Sequence, residues 1–411
     1  MGPLPVSICI LPVTQPIILL LIEAFEIILW AARRKMGADE NLAPIAERVR
    51  DWKAVVEFAA NGGVIPMLAR ALRQEPAVPL AVRRDLDKRY TIKSGHNAVL
   101  ARELREILAD FQTAGIEALA YKGPALAMLA YGELSLRNPS SDIDLLLHGA
   151  DIQRAKDRLQ SLGYRLILSP EQEQHYLKHR YHLHFERQGP ELHVELHWAI
   201  TPAYWPFPLD VWSRIRQVTV AGVAMPTLDP ECALLALCAH GAKEGWPRLS
   251  QILDVGELVR AHPGLDWDWV MAEAARMKRE RVLRLGLLLA ATWIQAPLPP
   301  AVRSYLAQDP VASALAAEIG EHLGDDYLAG TSFHGYALRV WQHPMDRFRY
   351  LWYIARLLPD RIRALAAPSE EDRKVVDLRG PLSFLYVFIR PVRAVFQKDL
   401  RLAIRRFGRN L

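Results

Sequence analysis

Asp142 and Asp144 are the residues of this sequence with the clearest potential for chemistry. They lie two positions apart in the segment SSDIDLLL, whose apolar run predicts a strand. Residues i and i+2 of a strand point to the same face, so both carboxylates project together while Ile143 and Leu145 face the core. Two carboxylates on one rigid face suit Mg²⁺. The alternative is a solvated strand with two exposed acids, because isolated acid–x–acid triplets are common.

The segment before this strand has the composition of an anion site. Lys122, Gly123 and Pro124 follow a short strand predicted over residues 119–121. Proline is favoured at the first position of a helix, and glycine lets a ligand approach the backbone closely. The helix predicted over residues 124–131 would direct its free N–H groups at an anion, and Lys122 would add a positive charge. A phosphate site beside two carboxylates is an arrangement that serves phosphoryl or nucleotidyl transfer.

The segments KGPAL and YGELSLRNPSSDIDLLL resemble the uncharacterised nucleotidyltransferases of the polymerase-beta superfamily. The superfamily pattern is a glycine, a second small residue, a spacer and then acid–hydrophobic–acid. In this chain Pro124 replaces the second small residue, and the spacer to Asp142 is longer. The resemblance extends more weakly from about residue 51 to the C-terminus. It implies an α+β fold, with a small mixed-sheet nucleotidyltransferase domain that carries helices and is flanked by N-terminal and C-terminal helical regions.

The resemblance also implies a third carboxylate on a later strand, for which Glu195 is the candidate. Glu195 lies in HVELHW, the second half of a hairpin predicted over residues 181–187 and 192–198, where polar and apolar residues alternate. Three carboxylates would hold two Mg²⁺ ions about 3.5–4 Å apart for an in-line displacement. Glu195 would then act as general base, or as ligand to the metal that activates the attacking hydroxyl. The alternative is an exposed strand residue.

Further residues are candidates for contacts with a nucleotide. Arg137, just before the acid pair, could meet a phosphate or pair with an acid of the site. A second block that resembles the family, HGAKEGWPRLSQILDVGELV, contains Lys243 and Arg248, which could contact phosphates. In the same block Trp246 could stack on a base or pack in the core, and Asp254 could pair with a base such as Arg248. The expected nucleotide-binding set is Lys122, Gly123, Arg137, Lys243 and Trp246.

The four histidines of the predicted hairpin suggest a different metal. His182, His184, His193 and His197 could bind Zn²⁺, for which imidazole is a good ligand. Their spacing matches no zinc motif, and alternating histidines on a hairpin can simply form its polar face. His197 is better interpreted as a partner that supports the acids.

Composition restricts the class of protein. The chain has 411 residues, of which 51% are hydrophobic and 24% charged, and its formal net charge is +5. This charge suits a protein that handles anions, but it is not the signature of a nucleic-acid-binding protein, and we do not expect nucleic acid as a partner. The three cysteines are an odd number without metal-site spacing, which favours a reduced, cytoplasmic setting.

The sequence predicts five segments. They are an apolar N-terminal segment of uncertain role (1–36), an N-terminal helical region (37–115), the catalytic domain (116–228), a helical domain (229–366) and a basic amphipathic tail (367–411). Residues 17–32 are almost wholly apolar, but Glu23, Glu26 and nearby prolines argue against a membrane span, and signal-peptide features are lacking. Peripheral membrane contact through the first or last segment is an alternative. Because the resemblance begins after Met36, the native chain could also start there.

The predicted activity is that of a Mg²⁺-dependent nucleotidyltransferase. It would transfer a nucleoside monophosphate from an NTP, such as ATP, to an unidentified small molecule, peptide or protein. One alternative is a phosphoryl- or nucleotidyl-transferring tailoring enzyme of a peptide natural-product pathway, and another is a catalytically silent nucleotide-binding scaffold. We expect Asp144→Asn to abolish turnover while thermal stability stays level or rises, because clustered like charges repel one another.

Overall fold

The computed structural model describes residues 15–187, 192–321 and 331–366. The chain divides into two units, one up to His343 and one from Pro344 onward. The predicted C-terminal tail and residues 1–14 lie outside the described residues. The division into five segments stays a prediction.

Helices make up most of the described chain. Those that precede the acid pair Asp142 and Asp144 are α1 (Gln15–Lys35), α2 (Ala43–Ala46), α3 (Trp52–Asn61), α4 (Ile65–Leu72), α5 (Leu80–Thr113) and α6 (Gly123–Leu126). Those between or after strands are α7 (Ile152–Ser161), α8 (Pro170–His179), α9 (Pro230–Glu244), α10 (Leu249–Ala261), α11 (Trp267–Arg276) and α12 (Glu280–Ile294). The remainder are α13 (Pro300–Leu306), α14 (Pro310–Glu321), α15 (Thr331–Val340) and, in the second unit, α16 (Pro344–Ala366).

A mixed sheet of five strands lies at the centre of the first unit. Its strands are β1 (Ala118–Ala120), β2 (Asp142–Leu147), β3 (Arg165–Leu166), β4 (His182–Arg187) and β5 (Leu192–His197), in the order β1-β2-β5-β4-β3. Strands β2 and β5 pair in parallel, while the other neighbours are antiparallel. With helices packed on this sheet, the predicted α+β class is confirmed.

The two faces of the sheet differ sharply in character. Alternate residues of β2, β4 and β5 are apolar and enter one buried core together with α5 and α7, among them Ile143, Leu145, Leu183, Phe185 and Val194. Apart from Leu146, the residues between them are acids and histidines, which therefore project from the opposite face. The period-2 pattern of the sequence thus places every candidate acid on the polar face of the sheet.

A second sheet, which the sequence analysis did not predict, supports β1. It consists of β6 (Ile215–Val220) and β7 (Val223–Leu228), joined by Ala221 and Gly222 with φ of 48° and 82°. Two residues with positive φ form the turn that matches the twist of a hairpin. The Thr227 hydroxyl of β7 donates to the Ala120 carbonyl at 2.6 Å. The hairpin therefore holds the strand that leads into the candidate anion segment.

The predicted helix over residues 124–131 is divided in two. Helix α6 covers only its first turn, and a π-helical turn follows from Ala127 to Tyr131, where Gly132 ends it with φ of 71°. Wider turns of this kind often occur at functional sites. Here the turn directs the Tyr131 hydroxyl to the Asp254 carboxylate, at 2.7 Å.

The described part of the apolar N-terminal segment packs inside the protein. Ile27 and Trp30 of α1 are 0% and 1% exposed, and the Trp30 indole N–H donates to the Glu40 carbonyl at 2.7 Å. Glu23 forms an ion pair with Arg50 at 3.0 Å. None of the described helices is long and apolar enough to cross a membrane. Between Ala24 and Ala32 the apolar residues of this segment are thus accounted for by burial, in a helix that contacts α3 and α4.

Substitutions in α1 test this packing. Ile27→Ala is expected to lower the free energy of unfolding by about 2–5 kcal/mol, because it leaves a cavity at a fully buried position. Ile22→Ala, at a position 37% exposed on the same helix, should cost less than about 1 kcal/mol. Denaturant unfolding compares the two variants. Equal, small effects of both would show that α1 is not part of the folded core.

Candidate active site

The parallel pairing of β2 with β5 brings the three predicted acids to one place. Asp144 lies opposite Glu195 in the register of the two strands, and Asp142 lies opposite His193. Asp142, Asp144 and Glu195 all line a cavity of about 700 Å³. The other walls of this cavity come from α5, α9, α10 and the loop that precedes β2.

Asp144 is the most enclosed of the three acids. It is 3% exposed, and its Oδ1 accepts a hydrogen bond from the Lys122 ammonium at 2.9 Å. The Nε2 atom of His197 lies 2.9 Å from the same oxygen. Burial alone would raise the pKa of Asp144, but Lys122 and His197 hold this pKa below its ordinary value. Asp144 is therefore a carboxylate that the fold keeps ionised.

Glu195 is surrounded by imidazoles. Its Oε2 lies 3.0 Å from His197 Nε2, and its Oε1 lies 3.4 Å from His184 Nδ1. His184 in turn contacts His193, with 3.1 Å between Nε2 and Nδ1. Although burial would raise the pKa of Glu195, hydrogen bonds from His184 and His197 lower it. Asp144 and Glu195 thus contact the same imidazole nitrogen of His197.

Asp142 differs from the other two acids because no ion pair of its side chain occurs among the described residues. Burial raises its pKa to about 6, and the charges of Asp144 and Glu195 act in the same direction. Its backbone carbonyl accepts a hydrogen bond from the Ser140 hydroxyl at 2.7 Å. Asp142 is therefore the acid of this site that exchanges a proton close to neutral pH.

The predicted anion segment is partly committed to contacts within the protein. The Lys122 ammonium lies at the cavity, but it is paired with Asp144. Gly123 has φ of 54°, and a Cβ atom at this position would lie 3.2 Å from the Ser140 hydroxyl oxygen. The glycine thus permits a positive φ at this position and a close approach of the loop before β2. Gly123 itself is buried and does not line the cavity.

Arg137 pairs with an acid rather than lying open to a ligand. Its guanidinium contacts both carboxylate oxygens of Asp254, with distances of 2.8 Å from Nη2 and 3.0 Å from Nε. The Tyr131 hydroxyl donates to the same carboxylate. The partner of Asp254 is therefore Arg137, whereas the sequence analysis had suggested Arg248. This pair ties the loop before β2 to helix α10.

Several cationic side chains line the cavity opposite the acids. Lys243 of α9 donates to the Tyr181 hydroxyl at 3.1 Å, and Arg248 precedes α10. Lys93 and His96 of α5 reach the same cavity, although the sequence analysis named neither residue as a candidate. Both are polar residues in a helix with a mostly hydrophilic N-terminal half, so no signal in the sequence distinguished them. The cavity therefore combines a carboxylate wall with cations from two helical regions.

Trp246 lies elsewhere, and its predicted contact with a base is not supported. The residue is 1% exposed and is not part of the cavity wall. Its φ is 57°, and its ring covers Gly241 and Gly286, where an added Cβ would lie 2.5 and 3.1 Å from ring atoms. Trp246 is thus a core residue, in line with the alternative given for it above.

Among the described residues, one group of nitrogen and oxygen ligands could hold a metal ion, and it differs from the predicted zinc set. His182, Glu195 and His197 offer ligand atoms that all lie within 4.8 Å of one another. His184 and His193 lie outside this group and contact Glu195 and each other instead. Aromatic contacts hold the His197 ring, whose centroid lies 5.6 Å from that of Tyr121.

Comparison with known proteins identifies the family. The family described as uncharacterised nucleotidyltransferase matches residues 48–295, which is more than half of the chain. The chain belongs to this family. No curated protein and no solved structure matches it. The match includes every acid and cation of the cavity described above, so family membership supports nucleotidyl transfer in general and assigns no donor or acceptor.

The structure reverses the expected effect of one substitution on stability. In metal-free buffer at pH 7.5, Asp144→Asn should lower the free energy of unfolding by about 3–5 kcal/mol, because it leaves Lys122 without its carboxylate. Asp142→Asn should raise it by roughly 1 kcal/mol, because the folded state no longer carries an acid whose pKa lies above its ordinary value.

The pH dependence of the free energy of unfolding distinguishes the two substitutions. Wild-type Asp142 takes up a proton as the pH falls below about 6, whereas the unfolded chain keeps this acid ionised down to its ordinary pKa, so the stabilisation by Asp142→Asn should shrink between pH 7.5 and pH 5. The contribution of Asp144 is present above the ordinary pKa of an aspartate, so the loss in Asp144→Asn should persist at pH 5. Thermal unfolding at both pH values measures this, and an Asp144→Asn variant as stable as Asp142→Asn would contradict the assignment.

Proposed function

We propose that this protein is a divalent-metal-dependent nucleotidyltransferase that transfers a nucleoside monophosphate from an NTP to an acceptor. The observation that carries the proposal is the meeting of Asp144 and Glu195 on neighbouring parallel strands, in a cavity shared with Asp142. Family membership supports nucleotidyl transfer in general. The reaction would form a bond between the α-phosphorus and an acceptor hydroxyl oxygen. It would break the bond between the α-phosphorus and the oxygen that bridges to the β-phosphate, and pyrophosphate would leave.

The donor set fits Mg²⁺ or a similar ion. Asp144 and Glu195 supply carboxylate oxygens on one rigid face, which are the ligands that hard cations prefer, and Asp142 lies beside them in the same cavity. Asp144 already attracts positive charge, since Lys122 and His197 both contact its Oδ1. When bound, the ions would neutralise developing charge on the phosphates and lower the pKa of the attacking hydroxyl. The proposal includes two such ions.

The cations of the cavity would position the triphosphate. Arg248 and Lys93 have no ion pair among the described residues, so both are available to phosphate oxygens. Lys243 is held by Tyr181 and could meet a phosphate from that position. Arg137 would act indirectly, because its pair with Asp254 fixes the loop that carries Ser140.

Proton transfer is better assigned to Asp142 than to Glu195. A general base works best when its pKa lies near the working pH. The pKa of Glu195 lies below its ordinary value because His184 and His197 contact it, whereas that of Asp142 is about 6. Glu195 would thus serve as a ligand, and Asp142 would accept the proton of the acceptor hydroxyl.

Two further predictions from the sequence concern partners and location. Peripheral membrane contact through the terminal segments stays a prediction, since residues 1–14 and 367–411 lie outside the described residues. Ile27 and Trp30 of α1 are buried and would take no part in such contact. The cytoplasmic setting also stays a prediction.

Isotope transfer tests the reaction. Purified protein is incubated with each NTP, a divalent ion and a fractionated lysate as source of acceptors, with the label at the α- or the γ-phosphate. We expect label from the α-position in a product, and a loss of about a thousandfold in Asp144→Asn, since metal-assisted charge stabilisation contributes several kcal/mol to catalysis. Asp142→Asn should also be inactive although it is expected to be stable.

The controls separate the alternatives. Asp157→Asn, an exposed acid of α7, should transfer label like the wild type. Label from the γ-position alone would indicate phosphoryl transfer, and the same label transfer in wild type and Asp144→Asn would contradict the proposed site. A silent scaffold would transfer neither label.

A further inference from the structure

The polar face of β4 and β5 carries imidazole nitrogens close to the acids, although a Mg²⁺ site uses oxygen ligands. His197 Nε2 lies 2.9 Å from Asp144 Oδ1 and 3.0 Å from Glu195 Oε2. His182 Nε2 approaches the other oxygen of the same glutamate, Oε1, at 3.7 Å. Two imidazoles and the Glu195 carboxylate, from the adjacent strands β4 and β5, thus offer ligand atoms within 4.8 Å of one another, and Asp144 lies beside them.

The spacing of these atoms is that of ligands around a small divalent ion. Ligand atoms about 2.1 Å from an ion in tetrahedral arrangement lie about 3.4 Å apart. The His197–Glu195 pair, at 3.0 Å, is somewhat closer than this and the His182–Glu195 pair, at 3.7 Å, somewhat wider. The His197 side chain is 1% exposed, and its other ring nitrogen, Nδ1, has no hydrogen-bond partner among the described residues.

The chemistry of the His197 nitrogen supports the same conclusion. A single imidazole nitrogen carries at most one proton, yet His197 Nε2 faces two carboxylate oxygens at hydrogen-bonding distance. One proton can satisfy both oxygens only by being shared between them. A divalent cation bound by Glu195 and the His197 nitrogen would neutralise the glutamate and use the nitrogen lone pair, while Lys122 neutralises Asp144.

We propose that His182, Glu195 and His197 bind a divalent transition-metal ion of the Zn²⁺ type, while Asp144 stays paired with Lys122 beside it. Imidazole nitrogen favours zinc, cobalt and related ions, while Mg²⁺ prefers sites made of oxygen ligands alone. The ion has a route of entry, because His182, Glu195 and Asp144 all line the cavity. The inference deepens the proposed function, on which it rests in one respect: this ion would occupy one of the two metal positions.

The surrounding residues orient the ligands. His184 contacts Glu195 Oε1 at 3.4 Å and is itself in contact with His193. The His197 ring packs between aromatic neighbours, with centroid distances of 5.5 Å to Tyr181 and 5.1 Å to His182. Such outer contacts fix the orientation of metal ligands and contribute to affinity.

Metal binding can be measured without any nucleotide. Co²⁺ is titrated into apoprotein and followed by its visible absorption bands, and Zn²⁺ affinity is measured by competition with a chromophoric chelator. We expect wild type to bind Zn²⁺ more tightly than Mg²⁺, and His182→Asn to weaken Zn²⁺ binding by about 10–100-fold. His197→Asn should show the same loss, and thermal unfolding confirms that each variant is folded.

A second histidine pair provides the matched control. His175 and His179 lie one turn apart on exposed α8, with ring centroids 4.7 Å apart, so they could bind metal at the surface. His175→Asn should leave the Co²⁺ spectrum and the Zn²⁺ affinity unchanged. If His182→Asn keeps both, if only His175→Asn loses them, or if wild type prefers Mg²⁺, the inference is wrong.

The outcomes also separate this inference from the proposed function. Tight Zn²⁺ binding that depends on His182, without transfer of any label, would support the metal site and overturn the nucleotidyltransferase proposal. Transfer of the α-label in Mg²⁺ alone, by a protein that binds no Zn²⁺, would support the nucleotidyltransferase proposal and overturn the metal site.

Discussion

The parallel pairing of β2 with β5 is the constraint on which the rest of the site depends. It sets Asp144 directly opposite Glu195 and fixes the polar face of both strands toward the cavity. A slip of one residue would turn the acids into the core and the apolar residues Ile143 and Val194 toward solvent, so burial of the apolar face holds the register. The position of the acids is therefore secured by hydrophobic packing on the opposite side of the sheet.

Holding several carboxylates together in a buried place requires compensating charge. Lys122 supplies it for Asp144, hydrogen bonds from His184 and His197 lower the pKa of Glu195, and Asp142 is left with a raised pKa. An uncompensated buried charge is costly, which explains why the acid without an ion pair is the one that retains a proton most readily. The same distribution that stabilises the fold gives the acids different chemical roles.

Sequence periodicity predicted on which face of the sheet the candidate acids lie. The two-residue period of DIDLLL placed Asp142 and Asp144 on one face, and the alternation in HVELHW did the same for Glu195. The choice of Glu195 itself came from the resemblance to the family, because an alternating strand does not tell which polar residue lies beside a distant acid.

The remaining features depend on contacts between distant parts of the chain. The pairing of Arg137 with Asp254 spans 117 positions, and Trp246 is buried because Gly241 and Gly286 leave room for its ring. Lys93 reaches the cavity only because α5 extends past the edge of the sheet core. Local patterns contain no information on such distances, so a base-stacking role for Trp246 and an Arg248 partner for Asp254 were reasonable expectations that the tertiary structure replaced.

The central claim is that the carboxylate cavity holds a divalent ion and the phosphates of a nucleotide together. Pulsed electron paramagnetic resonance of Mn²⁺, used in place of Mg²⁺, detects hyperfine coupling to phosphorus nuclei bound directly to the ion. With a non-hydrolysable NTP analogue, the account predicts phosphorus coupling in the wild-type complex and its loss from the protein-bound Mn²⁺ signal in Asp144→Asn. Protein-bound Mn²⁺ without phosphorus coupling, or the same coupling in both proteins, would contradict it.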